Sequence, residues 1–228
     1  MRTKLVLVCW MACAAWAGGA ADRTNLVENG GFEVWSELDA NAAHSESVLS
    51  LNLIPANSAP AGWMPVRERV KNPARTATIA MDEAVKHGGA RSVRIENRDM
   101  RDISLVQYST ERFARHADDP HNIKPNRRYV VRWWVKGENV NPDGTGPILM
   151  MNCLSEKDGK TYRTNGGEHG VALPHGTFDW QRRQLVFITD EHAKWAAFTF
   201  QLRWTTGTVW YDDVELFDEG PVVQVKTY

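Results

Sequence analysis

Two kinds of residue grouping in this sequence could do chemistry: acids beside histidine, and tryptophans alternating with arginine and glutamine. The acidic groups are Asp212-Asp213 with Glu215, the run Asp118-Asp119-Pro120-His121, and Glu168-His169. Hydrolysis by paired carboxylates needs two acids roughly 5 to 9.5 Å apart across a cleft. Asp212 and Asp213 are neighbours, and neighbouring strand residues point to opposite faces. The other two groups fall in turn-rich segments, where solvated charge is the ordinary outcome. The 7 histidines include no His-Glu-x-x-His pattern, so zinc chemistry has no support. No serine nucleophile elbow and no phosphate-cradling glycine loop occurs. Cys153 lies in an apolar stretch, 148–154, and reads as a buried structural thiol.

The elements that must position these groups read as strands. Short β-branched and aromatic runs are separated by Gly, Pro, Asn and Asp clusters, and no long stretch has an apolar period near 3.6. Strands are predicted at 25–34, 62–66, 77–81, 91–96, 103–108, 127–137, 148–155, 180–188, 196–204 and 208–217. From Tyr129, the odd positions Tyr129, Val131, Trp133 and Val135 form one face, and Val130, Arg132, Trp134 and Lys136 the other. The odd set is the core set. Along 198–204, Phe198, Phe200, Leu202 and Trp204 are expected inside while Thr199, Gln201 and Arg203 face out. Val209, Tyr211, Val214 and Leu216 break step once, so a bulge is expected at Asp212-Asp213, re-aiming one carboxylate. Long turn-rich segments at 36–60, 110–125 and 158–178 interrupt the frame. The fold class is all-β: two antiparallel sheets packed as a sandwich.

Residues 1–21 read as a secretory signal, with Arg2 and Lys4 before an apolar run from Leu5 to Trp16 and a small-residue exit at Gly18-Gly19-Ala20-Ala21. That run is shorter than the roughly 20 residues of a spanning helix. A lipidated reading would use Cys13, on a poor approach of Trp10-Met11-Ala12. The protein is therefore expected outside the cytoplasm: secreted, periplasmic or at the cell surface. Cleavage removes Cys9 and Cys13 and leaves Cys153 without a disulfide partner. With 27 Lys and Arg against 28 Asp and Glu, the formal net charge is −1. Loss of Arg2 and Lys4 takes it to about −3, which points away from a nucleic-acid partner. One domain over 22–219 with a tail over 220–228 is expected. A mature chain of roughly 205 residues suits one large all-β domain and can bury about 70% of its unfolded surface.

Several spaced segments together carry a resemblance. They are Asn25-Leu26-Val27-Glu28-Asn29-Gly30-Gly31-Phe32-Glu33, Gly62-Trp63, His87-Gly88-Gly89-Ala90-Arg91-Ser92-Val93 and Val106-Gln107. After them come Pro125-Asn126-Arg127-Arg128-Tyr129-Val130-Val131-Arg132-Trp133-Trp134-Val135-Lys136 and Gly207-Thr208-Val209-Trp210-Tyr211-Asp212-Asp213-Val214-Glu215-Leu216. In order and spacing they resemble the carbohydrate-binding modules grouped as families four, nine and twenty-two, which are galactose-binding-like jelly rolls. The segments span nearly the whole chain after the leader. The segments 36–60 and 110–125 are longer than usual for such modules, which bears on the shape of any groove.

The resemblance implies a jelly-roll fold and a polysaccharide or glycoconjugate ligand. It also implies a structural Ca2+ held by Glu33, Asp212 and the Gly31 carbonyl, with loop 86–91 adding neutral oxygens, since calcium takes six to eight hard oxygens. Without the metal, Glu33 would be solvated and Asp212 would cap the bulge. Sugar rings stack on aromatic faces with fixed polar groups around them. The face opposite the core offers Trp134, Arg132, Gln201 and Arg203, with Gln107 and Trp210 as neighbours. Trp134 leads, the alternative being that a long loop covers it, and Trp63, Trp180 and Trp204 are expected in the core. A non-catalytic carbohydrate-binding protein is the first functional expectation. An exported structural or adaptor domain docking a protein partner is the second, and a small glycan-active hydrolase or lyase ranks last.

Overall fold

The computed structural model describes residues 24–37, 58–67, 77–101, 103–110, 119, 121–164, 171–172 and 174–222. The leader, Cys13, Asp118, Glu168-His169 and the end of the tail lie outside the described residues. Among those described, the regular structure is strand and there is no α-helix, as the period-two patterning requires.

Among the described residues thirteen strands follow in chain order. They are β1 (Trp35–Glu37), β2 (Ser58–Pro60), β3 (Met64–Arg67), β4 (Thr78–Asp82), β5 (Ser92–Asn97), β6 (Ile103–Ser109) and β7 (Arg127–Val140). The rest are β8 (Gly146–Lys157), β9 (Lys160–Thr164), β10 (Val171–Ala172), β11 (Gly176–Ile188), β12 (Ala193–Arg203) and β13 (Gly207–Pro221). One sheet runs β11-β7-β13-β5-β4; the other runs β10-β8-β12-β6-β3, with β9 also on β8. β1 and β2 form a separate small pair. All pairings are antiparallel, giving the expected two-sheet jelly-roll sandwich.

The core lies where alternation places it. Tyr129, Val131, Trp133 and Val135 of β7 are buried against Phe198, Phe200 and Leu202 of β12 and Val209, Tyr211, Val214 and Leu216 of β13. Trp63 joins a chain of tilted rings, 4.8 Å from Phe32, 5.1 Å from Tyr108 and 5.8 Å from Phe200. Each such side chain contributes about 1.5–3 kcal/mol by leaving water. Buried hydroxyls find acceptors: Tyr211 donates to the Gln201 carbonyl and Tyr108 to the Leu26 carbonyl. Cys153 is buried, as expected for a structural thiol.

Three sequence expectations are corrected. Residues 25–34 form a turn, not a strand: Asn29 and Phe32 take left-handed φ of 51° and 56° at Asn29-Gly30-Gly31. This turn docks beside β13 through Leu26 N–H to the Leu216 carbonyl and Val214 N–H to the Gly30 carbonyl. The segment 158–178 contains two further strands, β9, hairpinned onto β8 by Asp158 and Gly159 at φ 52° and 70°, and the short β10, also paired with β8, before β11 begins at Gly176. The last strand runs past the expected 217, because Gly220 and Pro221 still pair with Arg128 and Arg127.

Candidate functional site

Alternation sends six expected ligand residues outward, but from two different sheets. Trp134 and Arg132 on β7 and Trp210 on β13 belong to the five-stranded sheet, whereas Gln107 on β6 and Gln201 and Arg203 on β12 belong to the six-stranded one. They sit on opposite sides of the sandwich and cannot line one groove. Period two says which side chains face away from the core, not which sheet carries them.

On the five-stranded face each expected residue is engaged internally. The His87 ring stacks on Trp134 with centroids 3.7 Å apart, and Trp180 meets His87 edge-on at 5.7 Å. His87 is held there by its Nδ1, 2.6 Å from Asp213 Oδ2. Trp210 is buried and donates its indole N–H to Asp82 Oδ2 at 2.8 Å. Burial alone would raise the Asp82 pKa; the Trp210 indole and the Val85 and Ala84 N–H groups outweigh it and leave the carboxyl below its usual value. The Arg132 guanidinium lies over Phe217 at 5.4 Å. Ion pairs Lys136–Asp179 and Arg128–Glu219, each at 2.7 Å, finish the surface.

The six-stranded face differs. Gln107 lies opposite Thr199, and Gln201 directs its side-chain N–H toward Met150 Sδ on β8. Arg203 Nη1 approaches the same sulfur at 3.9 Å, and its guanidinium lies 3.9 Å from the Trp204 ring. Of the three tryptophans expected in the core, Trp63 is buried, Trp180 is only half-buried beside His87 on the five-stranded face, and Trp204 is furthest out of place. It is 44% exposed. The chain leaves β12 at Arg203 and Trp204 takes a left-handed φ of 46°, so the alternation that would have turned it inward has ended. A bulky residue in that region is strained, and such strain clusters at functional sites. The Thr145 N–H donates to the Trp204 carbonyl, and Gly144 fits against that carbonyl where a Cβ would collide. His175 Nε2 lies 3.2 Å from the Gly144 carbonyl. The sequence signal was the Thr205-Thr206-Gly207 turn directly after Trp204, which marks the end of the strand.

The expected bulge is present: β13 shifts register between Asp212 and Glu215, with Asp213 at φ 47°. It separates the two acids. Asp212 turns inside, fully buried, and accepts N–H bonds from His87, Gly88 and Asp213. Burial pushes its pKa up to about 6; the His87 and Gly88 donors pull against that and the Asp213 charge adds to it. Asp213 turns toward the glycines. The Glu33 and Asp213 carboxylates both lie within 4 Å of where a Gly31 Cβ would sit, and a Cβ at Gly88 or Gly89 would overlap one or the other. Glu33 also accepts N–H bonds from Ala90 and Arg91, fastening loop 86–91. Two carboxylates in a glycine cradle are hard-oxygen chemistry and fit calcium, with Asp213 replacing Asp212 as the expected second acid. Among the described residues no three His, Cys, Asp or Glu side chains converge as a metal set, so the remaining ligands would be carbonyl oxygens such as that of Gly31.

The acid–histidine run does form a cluster. His121 Nδ1 is 2.8 Å from Asp119 Oδ1 and Nε2 is 3.1 Å from Glu28 Oε1, which ties the N-terminal turn to the segment before β7. Ile123 bonds to Lys194 near the start of β12. The cluster is thus about 30 Å from Trp204 along that strand at roughly 3.3 Å per residue, too far to share a ligand atom.

No protein-family model matches this sequence, and no curated protein matches it. Solved structures do. A family 4 carbohydrate-binding module is 15% identical with a TM-score of 0.50, the match covering 84% of this chain and 99% of that one. The enzymatically active domain of tailspike protein 4 from bacteriophage CBA120 is 14% identical with a TM-score of 0.52, covering 85% of this chain. This chain spans 21% of that tailspike domain. The chain has the jelly-roll sandwich fold of carbohydrate-binding modules.

Proposed function

We propose that the protein binds a polysaccharide or glycoconjugate without cleaving it, and that Trp204, stacked on Arg203 at the rim of the six-stranded sheet, is the platform. The observation that carries this reading is an exposed tryptophan held in a left-handed backbone on a guanidinium. An indole face offers area to the apolar side of a pyranose, and His175 and the exposed loop at Thr145 can take up hydroxyls. An aromatic platform with polar groups around it is recognition chemistry, and binding is the activity assigned to this rim. The leader-like sequence supports an exported protein, and no helix among the described residues is long and apolar enough to cross a membrane.

A glycan array backed by affinity electrophoresis tests this. Retention by at least one glycan class is the expected result, and no retention on any plant, algal or host glycan contradicts it. Calcium in the Glu33–Asp213 cradle would neutralise two converging carboxylates and fasten loop 86–91, which carries His87. A melting midpoint that falls with chelator and recovers with calcium supports the metal; an unchanged midpoint rejects it.

One observation favours docking of a protein partner as a second reading. Val186 and Ile188 are exposed on edge strand β11, beside a recess lined by Asn126, Ile188, Thr189, Asp190, Glu191 and Val222. A partner retained in the presence of excess competing sugar, and lost on Ile188→Glu, would support it.

A further inference from the structure

We infer that His87 is a positioning residue of the calcium cradle and that calcium, in return, fastens the His87 ring over Trp134; this rests on the calcium reading above. The link is one carboxylate, Asp213, whose two oxygens face different ways. Oδ2 lies 2.6 Å from His87 Nδ1. Oδ1 is the oxygen turned toward Gly31, 3.6 Å from where a Cβ there would sit, with Glu33 Oε1 3.9 Å from the same point. A Cβ at Gly88 would lie 2.6 and 2.9 Å from the two Asp213 oxygens, so the loop backbone packs directly on this carboxylate. Asp213 cannot turn without moving the residue next to His87.

The rest of the loop hangs on the neighbouring acids. The His87 and Gly88 N–H groups donate to Asp212 Oδ2, and those of Ala90 and Arg91 to Glu33. The imidazole therefore has two anchors, the Trp134 ring 3.7 Å away at 16° and the Asp213 carboxylate. A hydrogen bond to the outer oxygen of a metal-ligating carboxylate fixes its orientation, and removing such a partner typically costs 10–100-fold in metal affinity. Coupling of this kind is reciprocal. Whatever factor His87 adds to calcium binding, calcium adds to the population in which His87 lies on half-buried Trp134. A ring that packed on Trp134 without touching a cradle acid would give no such response.

Calcium titration at fixed pH, followed by calorimetry and by acrylamide quenching of tryptophan fluorescence, tests the link in wild type, His87→Ala and His87→Phe. The difference from Trp134→Phe isolates the share of the quenching that belongs to Trp134. In wild type, calcium should lower that share. His87→Ala should weaken calcium binding by about 10-fold or more and leave Trp134 quenching high and unresponsive to calcium. His87→Phe keeps a ring to lie on Trp134 but has no donor for Asp213, so calcium affinity should fall as in His87→Ala while quenching stays low with and without the metal. A calcium Kd that agrees within about twofold across the three proteins would overturn the inference. So would Trp134 quenching that rises with calcium in wild type, since the metal would then be drawing Asp213 away from His87. No calcium heat and no chelator-dependent midpoint in folded wild type would overturn the calcium reading itself.

Discussion

The two outer faces of the sandwich both carry tryptophan, in opposite states. On the five-stranded sheet Trp134 points away from the core as alternation requires, yet His87 lies flat against it and Asp213 holds His87 in place. On the six-stranded sheet Trp204 has left the strand altogether and is 44% exposed, with the Arg203 guanidinium against its ring. Pointing outward and being available are therefore separate properties. The first is fixed by backbone periodicity. The second is fixed by what a distant segment lays on top, here a glycine loop anchored by carboxylates from the N-terminal turn and from β13.

The largest effect expected from this contrast concerns affinity. Trp204→Ala should weaken glycan binding by about 30-fold or more, the roughly 2 kcal/mol loss typical of an aromatic hot spot. Trp134→Ala should leave the Kd within about twofold. Titration of both variants against the same retained glycan checks this; equal losses would erase the distinction between the faces.

A smaller effect is expected from uncovering Trp134. His87→Ala removes a ring stack and a bond to Asp213, worth about 1 kcal/mol together, so the melting midpoint should fall by about 2–4 °C. Glycan affinity should hold while acrylamide quenching of tryptophan fluorescence rises. If His87→Ala created or strengthened glycan binding, Trp134 would be a latent platform and the covering loop a gate.

The smallest effect is a pH slope that reports how the bulge sorts its two acids. The Asp212 carboxyl, at about 6 when folded, stands above its unfolded value near 3.8. Its folded form binds the proton more tightly, so its stabilising contribution is full below about pH 4 and is lost as pH rises through about 6. In chelator, the wild-type midpoint should fall across that interval relative to Asp212→Asn, which keeps an oxygen for the His87 and Gly88 N–H groups. Parallel curves would mean that Asp212 is not desolvated as its burial implies.

Much of this architecture was legible in the sequence, for reasons the same residues show. The core faces of β7 and β13 followed from strict period-two patterning, and the single slip at Asp212-Asp213 located the bulge. The β9 hairpin was equally written, in Asp158-Gly159 between two polar-apolar runs, but a long turn-rich segment concealed it. The N-terminal turn was masked by apolar Leu26, Val27 and Phe32, which are buried without being a strand. The site was less legible because it depends on contacts between residues far apart in the chain. Nothing near Trp134 in sequence announces His87, and nothing near Glu33 selects Asp213 over Asp212. Trp204 was misplaced by carrying an alternation one residue beyond the end of its strand.

The most direct test of the rim site is residue-resolved. In a 1H–15N spectrum of assigned tryptophan indoles, titration with a retained glycan should move the Trp204 Nε1–H signal progressively while Trp134 and Trp180 stay still. Movement of Trp134 and Trp180 with Trp204 unchanged would place the ligand on the five-stranded sheet and contradict the account.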